Sequence, residues 1–203
     1  MSSSSRSVAD GERTALADLF TEVGPEAPTC CEGWTTAHLA AHLVVRERRP
    51  DALPGYGFEA AGRLPALAAW SHRLEDRSRT GTSYAEQVAR FRAGPPPWSL
   101  MALPGGRGLH TVEFVIHHED VRRAQPDWAP RALPRATQDE LWGAVFLFGR
   151  QAAGRPGGLV LRRSDAEGVE KKFGEGRTVV AGEPLELLLW ASGRTSVARV
   201  TVS

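Results

Sequence analysis

The sequence is poor in the features that mark membrane or disulfide-stabilised proteins. Its 203 residues include only two cysteines, Cys30 and Cys31, and one adjacent pair cannot build a disulfide framework. No apolar run approaches the ~20 residues that span a bilayer. The Ser-rich first residues also lack the apolar segment of a secretory signal. We therefore expect a cytoplasmic protein that carries two reduced thiols and does not enter a membrane.

The chain also lacks a surplus of charge of either sign. Lysine and arginine number 25 against 24 aspartates and glutamates, so no overall field favours nucleic acid. Hydrophobic residues make up 41% of the chain, which is ordinary for a globular protein. These values give no reason to expect nucleic acid as a partner. We expect a small-molecule substrate, bound by a monomer or a homodimer.

Hydrophobic periodicity predicts a helical first part and a mixed second part. Apolar residues recur at helical spacing in six segments, about 8–23, 35–49, 64–78, 83–93, 109–124 and 137–153. Beyond these segments the pattern changes to three short strands (158–164, 169–174 and 177–182), a helix (183–194) and an alternating strand (196–203). We predict an α+β protein with a helical bundle over 1–155 and a β-β-β-α-β domain over 156–203.

The helix over 109–124 carries histidines and carboxylates in a run that otherwise suggests a buried helix. Because successive helical residues turn by about 100°, Glu113 and His117 share one face, and Asp120 lies on the same face one turn later. His118 and Glu119 fall on the opposite side, which we predict to face outward. His110, at the start of the helix, is predicted to be a cap-region or surface residue.

The helix over 35–49 repeats this arrangement. His42 shares its stripe with His38, Arg46 and Arg49. Histidines on the inner stripes of two bundle helices are a common source of metal ligands. His42, Glu113 and His117 would suit zinc or another borderline divalent ion, with Asp120 orienting the imidazole of His117. His38 is a rival or additional ligand.

These motifs resemble those of a known family. The pattern W-T-x-x-x-L-x-x-H-L over 34–43, followed by E-x-x-x-H over 113–117, resembles the DinB-like metal-binding four-helix bundles. It is most similar to their actinobacterial branch related to mycothiol-dependent maleylpyruvate isomerase, and within it to a metal-binding subgroup of unassigned activity. The segment VVAGEPLELLLWASGR resembles the small sterol-carrier-like C-terminal domain that follows the bundle in the isomerase.

The resemblance implies a site and a chemistry. His42, Glu113 and His117 would be the three ligands of a divalent metal, usually zinc, and Arg194 would act on the substrate. The thiol mycothiol would bind near the metal and react as a thiolate in cis–trans isomerisation or S-conjugation. His38 stands where many relatives carry an acidic residue.

The residues leave several functions open. Arg46 and Arg49 can hold an anionic substrate or cofactor, or they can simply end their helix. A second enzyme hypothesis is a hydrolase in which Asp120 or His38 serves as base. A third is a non-enzymatic protein that binds a metal or a small apolar ligand. In the fourth, the inward polar groups satisfy one another and no metal binds.

Overall fold

Helices occupy most of the chain up to residue 152, and a small sheet with one more helix follows. The computed structural model describes residues 7–54, 65–102, 107–152 and 157–203. The helices are α1 (Val8–Val23), α2 (Thr36–Arg48), α3 (Pro65–Gly81), α4 (Tyr84–Ala93), α5 (Arg107–Arg122), α6 (Arg135–Ala152) and α7 (Pro184–Ala191), with a 3-10 turn at Leu100–Ala102. The strands are β1 (Leu159–Arg163), β2 (Glu170–Phe173), β3 (Thr178–Gly182) and β4 (Thr201–Val202). The predicted α+β class is confirmed.

The chain divides into two compact units, and the boundary along the sequence lies between Trp128 and Ala129. Helix α6, which the sequence pattern assigned to the bundle, lies in the second unit and packs against α7. The predicted domain boundary falls between residues 155 and 156, outside the described residues. It stays a prediction.

The core of the first unit is built from the apolar stripes of α1, α2, α4 and α5. Phe20, Phe91 and Phe114 are buried in it, and the rings of Phe91 and Phe114 meet edge to face at 5.4 Å between centroids. Edge-to-face pairs of this kind add to the stability that burial alone supplies. Helix α2 packs against α3 and α4, and α1 packs against α4 and α5.

A buried ion pair crosses this core. The guanidinium of Arg13 on α1 bonds to Glu47 on α2 and donates a second hydrogen bond, 2.7 Å long, to the carbonyl of Phe91. It also lies over the Phe114 ring, 4.5 Å from its centroid. Burial raises the pKa of Glu47, although the bond to Arg13 opposes that shift. A pair this deep fixes the register of α1 against α2 because an unpaired partner would be left in the core.

The second unit is a four-stranded sheet with α6 and α7 packed on it. The strand order is β2-β1-β3-β4, with β1 and β3 parallel and the other pairs antiparallel. Every residue of α7 is buried, which explains its continuous apolar sequence. Strand β4 is shorter than the alternation over 196–203 predicted. Before it, the backbone N–H of Arg199 donates to Glu186 Oε2 at 2.7 Å instead of to a neighbouring strand.

Arg163 at the end of β1 links the sheet to α6. Its buried guanidinium pairs with Asp165 at 2.6 Å and with Asp139 of α6 at 2.6 Å. These hydrogen bonds lower the pKa of both aspartates. The second unit therefore has its own charged cluster, and every charge in it has an opposite partner.

Candidate metal centre

The three predicted ligands come together on two helices of the first unit. One donor atom from each of His42, Glu113 and His117 lies within 4.8 Å of the other two. His42 Nε2 is 3.8 Å from Glu113 Oε1, and the two imidazole rings are 5.5 Å apart between centroids. Two donors on a tetrahedral zinc ion, each about 2.1 Å from it, are separated by about 3.4 Å. The spacing is therefore close to that of a metal site.

Helix α2 positions His42 through a well-defined start. Thr35 is the N-cap residue, and its backbone N–H donates to Nδ1 of His38 at 3.2 Å. This arrangement is a capping box in which histidine takes the place of the usual Glu or Gln. His38, the predicted rival ligand, is thus engaged at the helix start. It belongs to neither group of metal-ligating side chains among the described residues.

Each histidine of the site is held by a carboxylate. Glu75 of α3 lies 2.7 Å from His42 Nδ1, and Asp120 lies 3.0 Å from His117 Nδ1. A carboxylate at Nδ1 selects the tautomer that carries its proton there and leaves the lone pair on Nε2. Metal-ligating histidines are oriented in this way.

Of the two carboxylates, Asp120 lies where its spacing on α5 predicts. Its side chain is fully buried behind His117, so it orients that ring and does not face a ligand. Glu75 was missed, because it lies on another helix and no local spacing relates it to His42. Glu75 also contacts His72 at 3.1 Å and lines a cavity of about 170 Å³.

Glu113 is the least satisfied group of the site. Its Oε1 is buried and lies 2.5 Å from Arg46 Nε, yet it makes no well-oriented hydrogen bond with any described residue. The contact is an ion pair without hydrogen-bond orientation. A buried carboxylate oxygen in this state is destabilising unless another group binds it. It therefore fits a ligand for a cation.

The charge of the centre also fits a divalent ion. Burial lowers the pKa of His42, and the nearby His117 adds to this, although the bond to Glu75 opposes it. His42 is therefore neutral at pH 7, the form that binds metals. The carboxylates of Glu75, Glu113 and Asp120 outnumber the single guanidinium of Arg46. A divalent cation would balance that negative surplus.

Cys31 lies beside the same centre. Its Sγ donates to Asp120 Oδ2 at 3.2 Å, and Cys31, His117 and Asp120 form a second group whose donor atoms lie within 4.8 Å of one another. Oδ2 of Asp120 already accepts from both other members. The first group, in which Glu113 Oε1 has no hydrogen bond, is therefore the better cation site. No lysine, arginine or histidine adjoins this thiol in the sequence, so its place beside the centre was not predicted.

The two other predicted site residues, Arg49 and Arg194, bond to residues close to them in sequence. Arg49 forms a two-pronged ion pair with Asp51, at 2.9 and 2.8 Å, and its side chain is about half exposed. Arg194 follows α7 in the second unit and donates to the carbonyl of Ser192 at 2.8 Å. Their predicted roles toward substrate stay predictions.

Two expectations about α5 are wrong. His118 and Glu119 do not face solvent: His118 bonds to Glu12 of α1 at 2.8 Å, and Glu119, fully buried, pairs with Arg123 at 2.6 Å. His110 is also buried, against the Phe114 ring. His118 and Glu119 are buried because α5 packs against α1 with the face opposite the site, whereas His110 is buried on the side of α5 that carries Glu113.

The fold and the centre together define an α+β protein in which two carboxylate-anchored histidines and a glutamate converge. No protein-family model matches the sequence, and no curated protein is similar enough in sequence to match. No helix in the described part of the chain is long and apolar enough to cross a membrane.

Two solved structures do match. They are the mycothiol-dependent maleylpyruvate isomerase, with a TM-score of 0.58, and a histidine-to-alanine mutant of it, with a TM-score of 0.59. Each is 19% identical in sequence, and each match covers 97% of this chain and 90% of the other. The predicted resemblance is confirmed for the fold over nearly the whole chain.

Proposed function

We propose that the protein is a divalent-metal-dependent enzyme that uses a thiol, such as mycothiol, to isomerise or conjugate a small electrophilic substrate. The observation that carries this proposal is the convergence of His42, Glu113 and His117, with each histidine anchored through Nδ1 by a carboxylate. The fold shared with mycothiol-dependent maleylpyruvate isomerase supports the choice of reaction type.

Zinc is the metal that the donor set favours. Two imidazole nitrogens and one carboxylate oxygen form a common catalytic zinc set, which leaves a position for a further ligand. When bound, the ion would supply a positive charge that lowers the pKa of a thiol beside it. His42, Glu113 and His117 would hold the ion, while Glu75 and Asp120 would keep the Nδ1 protons in place.

The arginines are assigned to anion binding. Arg46 is mostly buried next to Glu113, so a carboxylate of the substrate or cofactor at this point would meet a desolvated guanidinium. Arg49 follows on the same helix, but its surface pair with Asp51 makes its contribution the smaller one. Arg194 remains our candidate for a residue that acts on the substrate, on the basis of the family pattern alone.

The hydrolase alternative is less well supported. A hydrolase needs a general base within reach of the attacking water. Asp120 is fully buried and accepts hydrogen bonds from Cys31 and His117, and His38 is engaged by Thr35 at the start of its helix. Both candidate bases therefore have structural partners.

The test combines metal content with thiol-dependent turnover. Protein purified without an affinity tag should contain close to one zinc per chain by elemental analysis. It should consume maleylpyruvate, or a model electrophile, only when mycothiol or another small thiol is added. Bound zinc without thiol-dependent turnover would support the metal site and contradict the proposed thiol chemistry. The absence of any bound metal, even after incubation with zinc, would overturn the whole proposal.

A further inference from the structure

The polar stripe of the metal centre continues past Glu113. Along α2 and α5, His42 faces His117 and Arg46 faces Glu113, so the two helices run in opposite directions with their polar groups in successive pairs. The next residue of this stripe toward the start of α5 is His110, three positions before Glu113. It therefore lies on the side of Glu113 away from His117.

His110 is buried without a partner for one of its nitrogens. The residue is 7% exposed, its ring packs against Phe114 at 5.4 Å, and Nε2 makes no hydrogen bond with any described residue. A buried polar atom left in this state destabilises the fold. Native structures hold few such atoms, and functional sites are one of the places where they occur.

The surroundings of His110 tie it to the metal centre. It interacts electrostatically with Glu113 and Arg46 of the centre, and with Asp10 and Arg13 of α1. Burial lowers the pKa of its imidazole; the carboxylate of Glu113 opposes this shift and the two arginines add to it. The ring is therefore neutral at pH 7. A neutral ring beside a guanidinium suits a hydrogen bond to an anionic or carbonyl oxygen, which Arg46 would attract at the same time.

We propose that His110 is a substrate-binding residue whose Nε2–H donates to a carboxylate or carbonyl oxygen of the ligand. One helical turn, about 5 Å, separates it from Glu113. The ligand class is therefore a short molecule with two polar ends, such as a dicarboxylate or an oxo acid, one end near the metal and the other at His110. This inference rests on the proposed function, because it takes the metal centre as the reactive end.

The test measures ligand binding and metal content separately. Zinc-loaded wild type, His110→Phe and His110→Gln are titrated calorimetrically with malonate, succinate and glutarate. Glutamine keeps an N–H donor near the position of Nε2, and phenylalanine keeps the ring without it. We expect equal zinc content in all three, binding that favours the longer acids, a tenfold or greater loss in the phenylalanine variant, and binding retained in the glutamine variant.

The outcomes distinguish this inference from the proposed function. Equal dicarboxylate affinity in wild type and His110→Phe, with zinc present, would overturn the role of His110 and leave the metal site intact. No binding of any of the three acids to the zinc-loaded wild type would overturn it as well. If the wild type takes up no zinc, the proposed function fails. The same titrations on metal-free protein then still test the role of His110, since equal dicarboxylate affinities in wild type and His110→Phe would reject it.

Discussion

The two faces of α5 carry the same residue types and do different things. One face presents Glu113 and His117, and the other presents His118 and Glu119. On the second face, His118 is paired with Glu12, and Glu119 bonds to both Arg122 and Arg123. On the first face, Glu113 Oε1 has no hydrogen bond with a described residue, and the lone pair of His117 Nε2 is directed away from Asp120.

The comparison shows what separates a structural cluster from a candidate site. The presence of histidine and glutamate on a buried helix does not by itself indicate a metal site, because both faces of α5 carry these residues. The face whose hydrogen bonds are complete stabilises the packing of α5 on α1. The face with acceptors left over can bind a cation.

Replacing His117 and His118 one at a time should distinguish the roles of the two faces most clearly. His117→Ala removes a proposed ligand, so zinc affinity should fall by more than about 100-fold, beyond the loss typical of an orienting partner. His118→Ala should keep the zinc and lose folding stability instead, because it removes the buried hydrogen bond between His118 and Glu12. Competition with a metal chelator and urea unfolding measure the two effects. Equal zinc loss in both variants would contradict the assignment of faces.

Removing Glu119 should have the largest effect on stability. Its carboxylate pairs with Arg123, and both side chains are fully buried. Glu119→Ala breaks this fully buried ion pair, and the loss of one member of such a pair is destabilising by about 3–5 kcal/mol. The zinc content of the folded fraction should not change. A loss below 1 kcal/mol in urea unfolding would show that Arg123, which also lies over the Trp128 ring at 4.7 Å, does not depend on this partner.

The anchoring carboxylates should have an intermediate effect. Asp120→Asn and Glu75→Gln keep the shape of the side chains but weaken the hold on Nδ1 of His117 and His42. Loss of such a partner typically lowers metal affinity 10- to 100-fold. As a control, Asp51→Asn changes a surface carboxylate that pairs with Arg49 and should leave zinc affinity unchanged. Unaltered zinc affinity in both site variants would remove the orienting role.

The smallest effect concerns acid stability. Burial holds the pKa of His110 below its usual 6.5, so the unfolded chain binds a proton more readily than the folded one. Above pH 6.5 the ring is neutral in both states and does not lower the free energy of unfolding. As the pH falls from 6.5 through the lowered pKa of the folded state, the free energy of unfolding decreases. His110→Phe removes this dependence.

The check is urea unfolding of metal-free wild type and His110→Phe at pH 7.5 and 5.5. The difference in unfolding free energy between the two pH values should be smaller in the variant, while His42, whose pKa burial also lowers, contributes equally to both proteins. An identical pH dependence in the two proteins would show that His110 does not titrate in this range.

Much of the fold was predictable because local rules dictate it. The helix starts and ends follow from caps and glycines, as in α1, where Ser7 accepts from the backbone of Asp10 and Gly24 ends the helix. The continuous apolar run of α7 identified a buried helix. The assignment of α6 to one unit or the other was not predictable, because an amphipathic helix shows which face it buries but not against which element.

The candidate site also has a part that could be predicted from the sequence and a part that could not. Helical phase placed Glu113, His117 and Asp120 on one face, since their spacing lies within a single helix. Glu75, Cys31 and the unpartnered Nε2 of His110 could not be found from spacing, because each depends on how separate segments pack. The outward orientation predicted for His118 failed because the sequence does not show that α5 is covered on both sides.

By itself, the sequence determined the helices and strands, the phase of every side chain on its helix, and a family resemblance that the fold confirms. These are local properties, and they depend on backbone geometry and hydrophobic periodicity. Only the tertiary structure decided which carboxylate anchors which histidine, and which buried polar groups are left without a bond. Hydrogen bonding is short-ranged and directional. Whether a polar group is satisfied therefore depends on packing between helices that are distant in sequence.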